Sequence, residues 1–182
     1  MRESVPAYAN ARQLTCAKLW QVPIDPNFIR AEELGIRLEI VRGLPIWEAT
    51  PAYRHQKEVD RIRASIHPRP GTQCACVHAA DVYVQFPDGS IKRPDVSIWY
   101  REPSEQEDAV TLMPEAVIEV VNKGYEVKDL EIGPGFYLSQ GVKDVLVFDP
   151  TTLLVLHARR DGTVRRASPC ELSLECGCNC IV

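Results

Sequence analysis

A carboxylate set inside a strongly apolar run is the feature that most constrains this chain: Glu119 in Ala116-Val117-Ile118-Glu119-Val120-Val121. The flanking residues are strong β-formers, and such a run reads as a strand buried on both faces. A carboxylate there is costly unless a cation or hydrogen-bond donors meet it. A second carboxylate, Asp95, opens another predicted strand, Val96–Trp99, within Ile-Lys-Arg-Pro-Asp-Val-Ser-Ile-Trp (91–99). Two carboxylates on neighbouring strands commonly hold Mg²⁺ against a phosphate. A structural ion pair at Glu119 and a turn role for Asp95 form the competing reading.

The chain of 182 residues is expected to form one domain over 1–182, large enough for a real core. Its apolar content of 45% and charged content of 25% are those of an ordinary globular protein. No apolar stretch approaches the roughly 20 residues of a membrane span. Met1-Arg2-Glu3-Ser4 is not followed by an apolar segment, so no secretory signal is read and the cytoplasm is the expected location. The net charge of −4 does not suggest a general nucleic-acid binder, though a local patch or a bound metal decides the field at a site.

Residues 1–27, with Pro6, Pro23 and Pro26, read as an irregular N-terminal arm. Asp25-Pro26-Asn27 then opens a short predicted helix with Phe28, Ile29, Ala31 and Leu34 as its apolar positions and Gly35 as its stop. Arg37–Val41 and Leu44–Trp47 form a predicted hairpin around Arg42-Gly43. A helix is predicted over Tyr53–Ile66, ended by His67-Pro68. Strands are predicted over Val82–Phe86, Val96–Trp99, Ala116–Val121, Asp144–Phe148 and Leu153–Ala158. Asp161-Gly162 turns into a last pair of strands. Residues 126–140 read as helical, with Gly133-Pro134-Gly135 expected to kink or split the helix. The pattern is one mixed α/β sheet with helices against it.

On the helix from Tyr53, at about 100° per residue, Val59, Ile62 and Ile66 share a stripe with His55. Arg54, Lys57 and Arg61 fall on another, outward stripe, which suits either phosphate contacts or plain solvation. The cysteines are unevenly placed: Cys16 alone, Cys74 and Cys76 together, and Cys170, Cys176, Cys178 and Cys180 in a Cys-rich C-terminal strand region over about 168–182. Free thiols are the default in a reducing compartment. Cys176, Cys178 and Cys180 follow C-x-C-x-C rather than the C-x₂-C of common zinc sites. They are expected on one face of a strand, reduced and without metal.

Several of these segments together resemble a known family. Arg-Leu-Glu-Ile-Val-Arg-Gly-Leu-Pro-Ile-Trp (37–47), His-Gln (55–56), Arg-Pro-Asp-Val (93–96), Val-Ile-Glu-Val-Val (117–121) and Tyr-Leu-Ser-Gln-Gly-Val-Lys-Asp-Val-Leu-Val-Phe-Asp-Pro (137–150) look like the Uma-two family. Its members belong to the PD-(D/E)XK, restriction-endonuclease-like nuclease superfamily. The resemblance implies an α/β fold with a central mixed sheet flanked by helices. It also implies Mg²⁺, or Mn²⁺, held by strand carboxylates, and DNA as the substrate. Asp95 matches the Asp of the PD signature and Glu119 the acidic residue of (D/E)XK. Glu39 matches a family acidic position near the metal, and His55 a histidine at the head of the first core helix.

One position departs from the signature: Val121 stands where a lysine is expected. Lys123 and Lys128 are the candidate replacements, since phosphodiester hydrolysis benefits from a cation that stabilises developing charge. The sequence therefore leaves two main functions open, a metal-dependent endonuclease and a nuclease fold that binds nucleic acid or a protein without cutting. A thiol- or zinc-based regulatory protein is a third. A second copy of the chain is a further candidate partner.

Overall fold

The computed structural model describes residues 30–31, 34–35, 37–48, 50–104, 109–122 and 133–182. The N-terminal arm, most of the helix read after Asp25 and the segment carrying Lys123 and Lys128 lie outside the described residues.

The first described elements are the predicted hairpin, β1 (Leu38–Val41) and β2 (Leu44–Trp47). Arg42 and Gly43 join them with φ of 51° and 80°. Positive φ at both central residues is what a tight two-residue hairpin requires, and glycine meets it without strain. Helix α1 (Tyr53–Ala64) follows, then the short strands β3 (His67–Pro68), β4 (Val77–Ala80), β5 (Val84–Gln85) and β6 (Ile91–Lys92). Strands β7 (Val96–Trp99) and β8 (Ala116–Val120) coincide with the two carboxylate-bearing segments read from sequence. Helix α2 (Gly133–Gln140) carries Gly133-Pro134-Gly135 in its first turn, where proline lacks only an N–H that needs no helical partner. The chain ends with β9 (Asp144–Asp149), β10 (Leu154–Arg159), β11 (Gly162–Ala167), β12 (Glu171–Ser173) and β13 (Cys178–Ile181).

These strands make three sheets rather than one. The main sheet has the order β11-β10-β9-β8-β7-β4, and smaller sheets have the orders β2-β1-β6-β5 and β12-β13-β3. Only β8 and β9 run parallel among the pairs of the main sheet, so the sheet is mixed. A parallel pair needs a crossover connection, and α2 lies on that connection.

Alternation along β8 divides the core in two. Ala116, Ile118 and Val120 pack with Val59 and Ile62 of α1 on one face of the sheet. Val117 and Val121 pack with Phe136 and Tyr137 of α2 on the other. Both clusters are buried, which is why β8 reads as a nearly continuous apolar run. Glu119 shares its parity with Val117 and Val121.

The cysteines depart from the sequence expectation. Cys178 and Cys180 alternate on the buried face of β13, as strand spacing predicts, but Cys176 precedes the strand. Cys178 is not a free thiol: it forms a disulfide with Cys76. The turn before β4 has brought Cys76 beside the C-terminal strand, a contact that the spacing within the tail does not reveal. Burial pushes the remaining thiols of Cys176 and Cys180 up to about 11 and about 12, so both are neutral at physiological pH.

Candidate active site

Strands β7 and β8 run antiparallel with Val96 opposite Ile118, so Asp95 and Glu119 are the next residues along the two chains beyond that pair. At this end of the pair the Asp95 carboxylate reaches His55 of α1 and the Glu119 carboxylate reaches Tyr137 of α2. The Asp95 amide donates to Glu119 Oε2 at 3.2 Å. Asp95 Oδ2 accepts from the Val120 amide at 2.7 Å and lies 3.1 Å from His55 Nε2. His55 is 5% exposed and stands on the inward stripe of α1 with Val59 and Ile62.

The far oxygen of Glu119 is held by the other helix. Tyr137 Oη donates to Glu119 Oε1 at 2.5 Å. Burial, then the carboxylates of Glu119, Glu39 and Asp95, push the Tyr137 phenol well above its usual value. The phenol stays protonated and acts as a donor. Glu119 thus sits in an apolar strand because a donor from α2 and a backbone amide from Pro94-Asp95 meet it.

Glu39, the buried residue of β1, is 1% exposed. Lys92 Nζ donates to Glu39 Oε2 at 3.0 Å, and the Arg93 amide donates to Oε1 at 3.1 Å. Lys92 is itself 5% exposed and lies 5.0 Å from the Tyr137 ring centroid and 5.7 Å from that of Phe136. The ring faces and the Glu39 carboxylate together replace the hydration an ammonium would have in water. Among the described residues, neither Glu39 nor His55 joins Asp95 and Glu119 in a three-ligand set within 4.8 Å; only Cys74, Cys176 and Cys178 do so.

The outward stripe of α1 is exposed at Arg54, Lys57 and Arg61. Two of these cations already have partners: Arg54 donates to the Pro150 carbonyl at 2.6 Å, and Arg61 pairs with Glu58 at 2.7 Å. Beside the carboxylates, a small cleft is lined by Arg37, His55, Gln56, Arg93, Asp95 and Asn122. Arg37 and Arg93 both pair with Asp81 at its rim.

Sequence reasoning placed Asp95, Glu119, Glu39 and His55 in this neighbourhood but overlooked Lys92. Alternation from Ile91 reads Lys92 as an outward residue, whereas both are buried. Its closeness in sequence to Asp95 was the available signal. Val121, at the signature-lysine position, is 6% exposed and packed against α2.

The sequence and the fold both have counterparts among known proteins. Residues 25–174 match Uma2, described as "Putative restriction endonuclease". The chain belongs to the Uma2 family. A crystal structure from Anabaena variabilis, titled a "putative nuclease belonging to DUF820", is similar with a TM-score of 0.59 and 19% sequence identity. The similarity covers 75% of this chain and 80% of that one. No curated protein matches the sequence significantly. This Uma2 protein therefore has a nuclease-like α/β fold with few helices. Among the described residues no helix is long and apolar enough to cross a membrane.

Proposed function

We propose that this protein is a Mg²⁺- or Mn²⁺-dependent endonuclease that hydrolyses phosphodiester bonds in DNA, with Asp95 and Glu119 as the metal ligands. The observation that supports the reading is the Asp95 amide donating to the Glu119 carboxylate at 3.2 Å, just beyond the end of the β7–β8 pair. The donor set fits the group. Mg²⁺ takes oxygen ligands, keeps several waters and is commonly bound through one or two carboxylates plus substrate phosphates. When bound, the cation supplies Lewis acidity toward a phosphate oxygen and lowers the pKa of a coordinated water.

The chain's own groups do the positioning. His55 and the Val120 amide fix one oxygen of Asp95, and Tyr137 fixes one oxygen of Glu119. The exposed cations Arg54, Lys57 and Arg61 give α1 a stripe suited to the phosphate backbone. Glu39 is assigned a supporting part near the metal, with its charge offset by Lys92. Lys123 and Lys128 are the proposed sources of a transition-state cation in place of Val121. Replacing the acting lysine with Ala is expected to slow cleavage about 10²–10³-fold while metal binding persists.

Burial of Val121 favours a second reading, a nuclease fold that binds DNA without cutting it. Incubation with supercoiled, linear and single-stranded DNA plus Mg²⁺ or Mn²⁺ separates the two. Metal-dependent cleavage supports the endonuclease, and metal-independent binding with no cleavage on any substrate supports the second reading.

A further inference from the structure

Two Cys-x-Cys turns from distant parts of the chain meet outside the carboxylate site. Cys74 and Cys76 belong to the turn before β4, and Cys176 and Cys178 to the turn into β13. All four are 6% exposed or less. The sulfurs of Cys74, Cys176 and Cys178 lie within 4.8 Å of one another. Cys74 Sγ is 3.5 Å from Cys178 Sγ and 3.7 Å from Cys76 Sγ. In a tetrahedral zinc thiolate site with Zn–S near 2.3 Å, neighbouring sulfurs are about 3.8 Å apart. The unbonded separations already approach that edge.

The backbone is shaped for this meeting. Cys76 holds a φ of 46°, which a non-glycine residue adopts only when its surroundings impose it. Its amide points at Cys74 Sγ at 3.3 Å, the kind of N–H···S contact that stabilises a thiolate. Gly177, between the other two cysteines, has φ +96°, and a Cβ there would lie 2.8 Å from Thr72 Cγ2. The Gly177 carbonyl accepts from the Arg69 amide at 2.8 Å and from Thr72 Oγ1 at 3.2 Å. Glycine thus lets the two turns dock closely enough for their sulfurs to converge.

We propose that, with its disulfide reduced, this protein binds one structural Zn²⁺ through Cys74, Cys76, Cys176 and Cys178. In the disulfide form Cys76 and Cys178 are joined, and Cys74 and Cys176 remain thiols. A dithiol reductant transfers two electrons and two protons to the Cys76–Cys178 bond, giving two thiols and the reductant's own disulfide. Zinc binding then releases up to four thiol protons to solvent. Four sulfur ligands leave no open position, so the ion would be structural, clipping the C-terminal hairpin to the turn before β4. The C-x-C-x-C tail does not bind metal by itself: Cys180 is left out, and the other ligands come from Cys74 and Cys76.

The test is metal analysis of the full chain, reduced and purified without added metal, followed by titration with Zn²⁺ and Co²⁺. The expected result is one zinc per chain and, with cobalt, the visible absorption of a tetrahedral thiolate complex. Cys74→Ser and Cys176→Ser, neither of which touches the disulfide, should each weaken zinc binding by at least about 100-fold, the upper end of the loss from removing a supporting group. Cys180→Ser should leave it unchanged. Failure of the reduced parent to take up zinc stoichiometrically would overturn the proposal, and this readout does not depend on any variant folding. Equal zinc affinity of parent, Cys74→Ser and Cys176→Ser would overturn it as well.

Discussion

Lys92 illustrates how a buried charge is decided by its partners. Taking an ammonium and the Glu39 carboxylate out of water is costly, and the 3.0 Å contact, the Arg93 amide and two aromatic rings offset that cost. Removing one partner leaves the other charge buried alone. Lys92→Met is therefore expected to destabilise the protein by about 3–5 kcal/mol, read from the midpoint of urea unfolding. Adding Glu39→Gln should recover part of the loss, because the stranded charge is then gone. If the double variant is as unstable as the sum of the singles, the pair does not act as a unit. The site residues were legible to different degrees for related reasons. Asp95 and Glu119 stood out because an acid beside strong β-formers is anomalous. Lys92 did not, because a lysine after an isoleucine looks like ordinary alternation.

At the scale of elements, the hairpin and helix α1 were legible from local signals, whereas the edge strand β4 (Val77–Ala80) and the long-range pairings were not. Arg42-Gly43 specifies its hairpin through backbone conformation alone, and the α1 stripe of His55, Val59 and Ile62 follows from helical period. The strand read over Val82–Phe86 is shortened to β5, and the two-residue strands β3 and β6 are too short to leave a pattern, so the two small sheets were not foreseen. The Cys76–Cys178 pairing spans 102 residues and no local rule predicts it. The docking of its two turns has a direct test in Gly177. Gly177→Ala must adopt φ +96° and displace Thr72, so it should cost about 1–3 kcal/mol in the thermal unfolding of the oxidised protein. Gly135→Ala, in the first turn of α2 with nothing within 4 Å of the added Cβ, should be neutral or stabilising by up to about 1 kcal/mol. Similar midpoints for the two variants would show that the turns do not need their close approach.

At the scale of the whole molecule, Asp144 ties the main sheet to the C-terminal segment. It is fully buried, accepts from His157 at 2.7 Å and Arg159 at 2.5 Å, and receives the Glu175 amide at 2.7 Å. Burial pushes its carboxyl upward, but the hydrogen bonds from His157, the Glu175 amide and Arg159 outweigh that effect and hold it below the usual value. An unfolded Asp titrates near pH 3.9, so this contribution to stability is complete above about pH 4 and is lost as pH falls through the lower folded value. Asp144→Ala should cost about 3–5 kcal/mol at neutral pH, and its stability should fall less steeply than the parent's on acidification. Parallel acid-stability curves for oxidised, metal-free parent and variant would contradict this assignment.

Asp95 and Glu119 are proposed to form a metal-dependent nuclease centre at one end of the sheet. The most direct measurement is cleavage of supercoiled DNA by the parent, Asp95→Ala and Glu119→Gln, each with Mg²⁺ or Mn²⁺ and with a chelator. The parent is expected to nick or linearise DNA only with the metal, and both folded variants to show no cleavage above background. Cleavage by either folded variant at the parent rate, or equal cleavage in the presence of chelator, would contradict it.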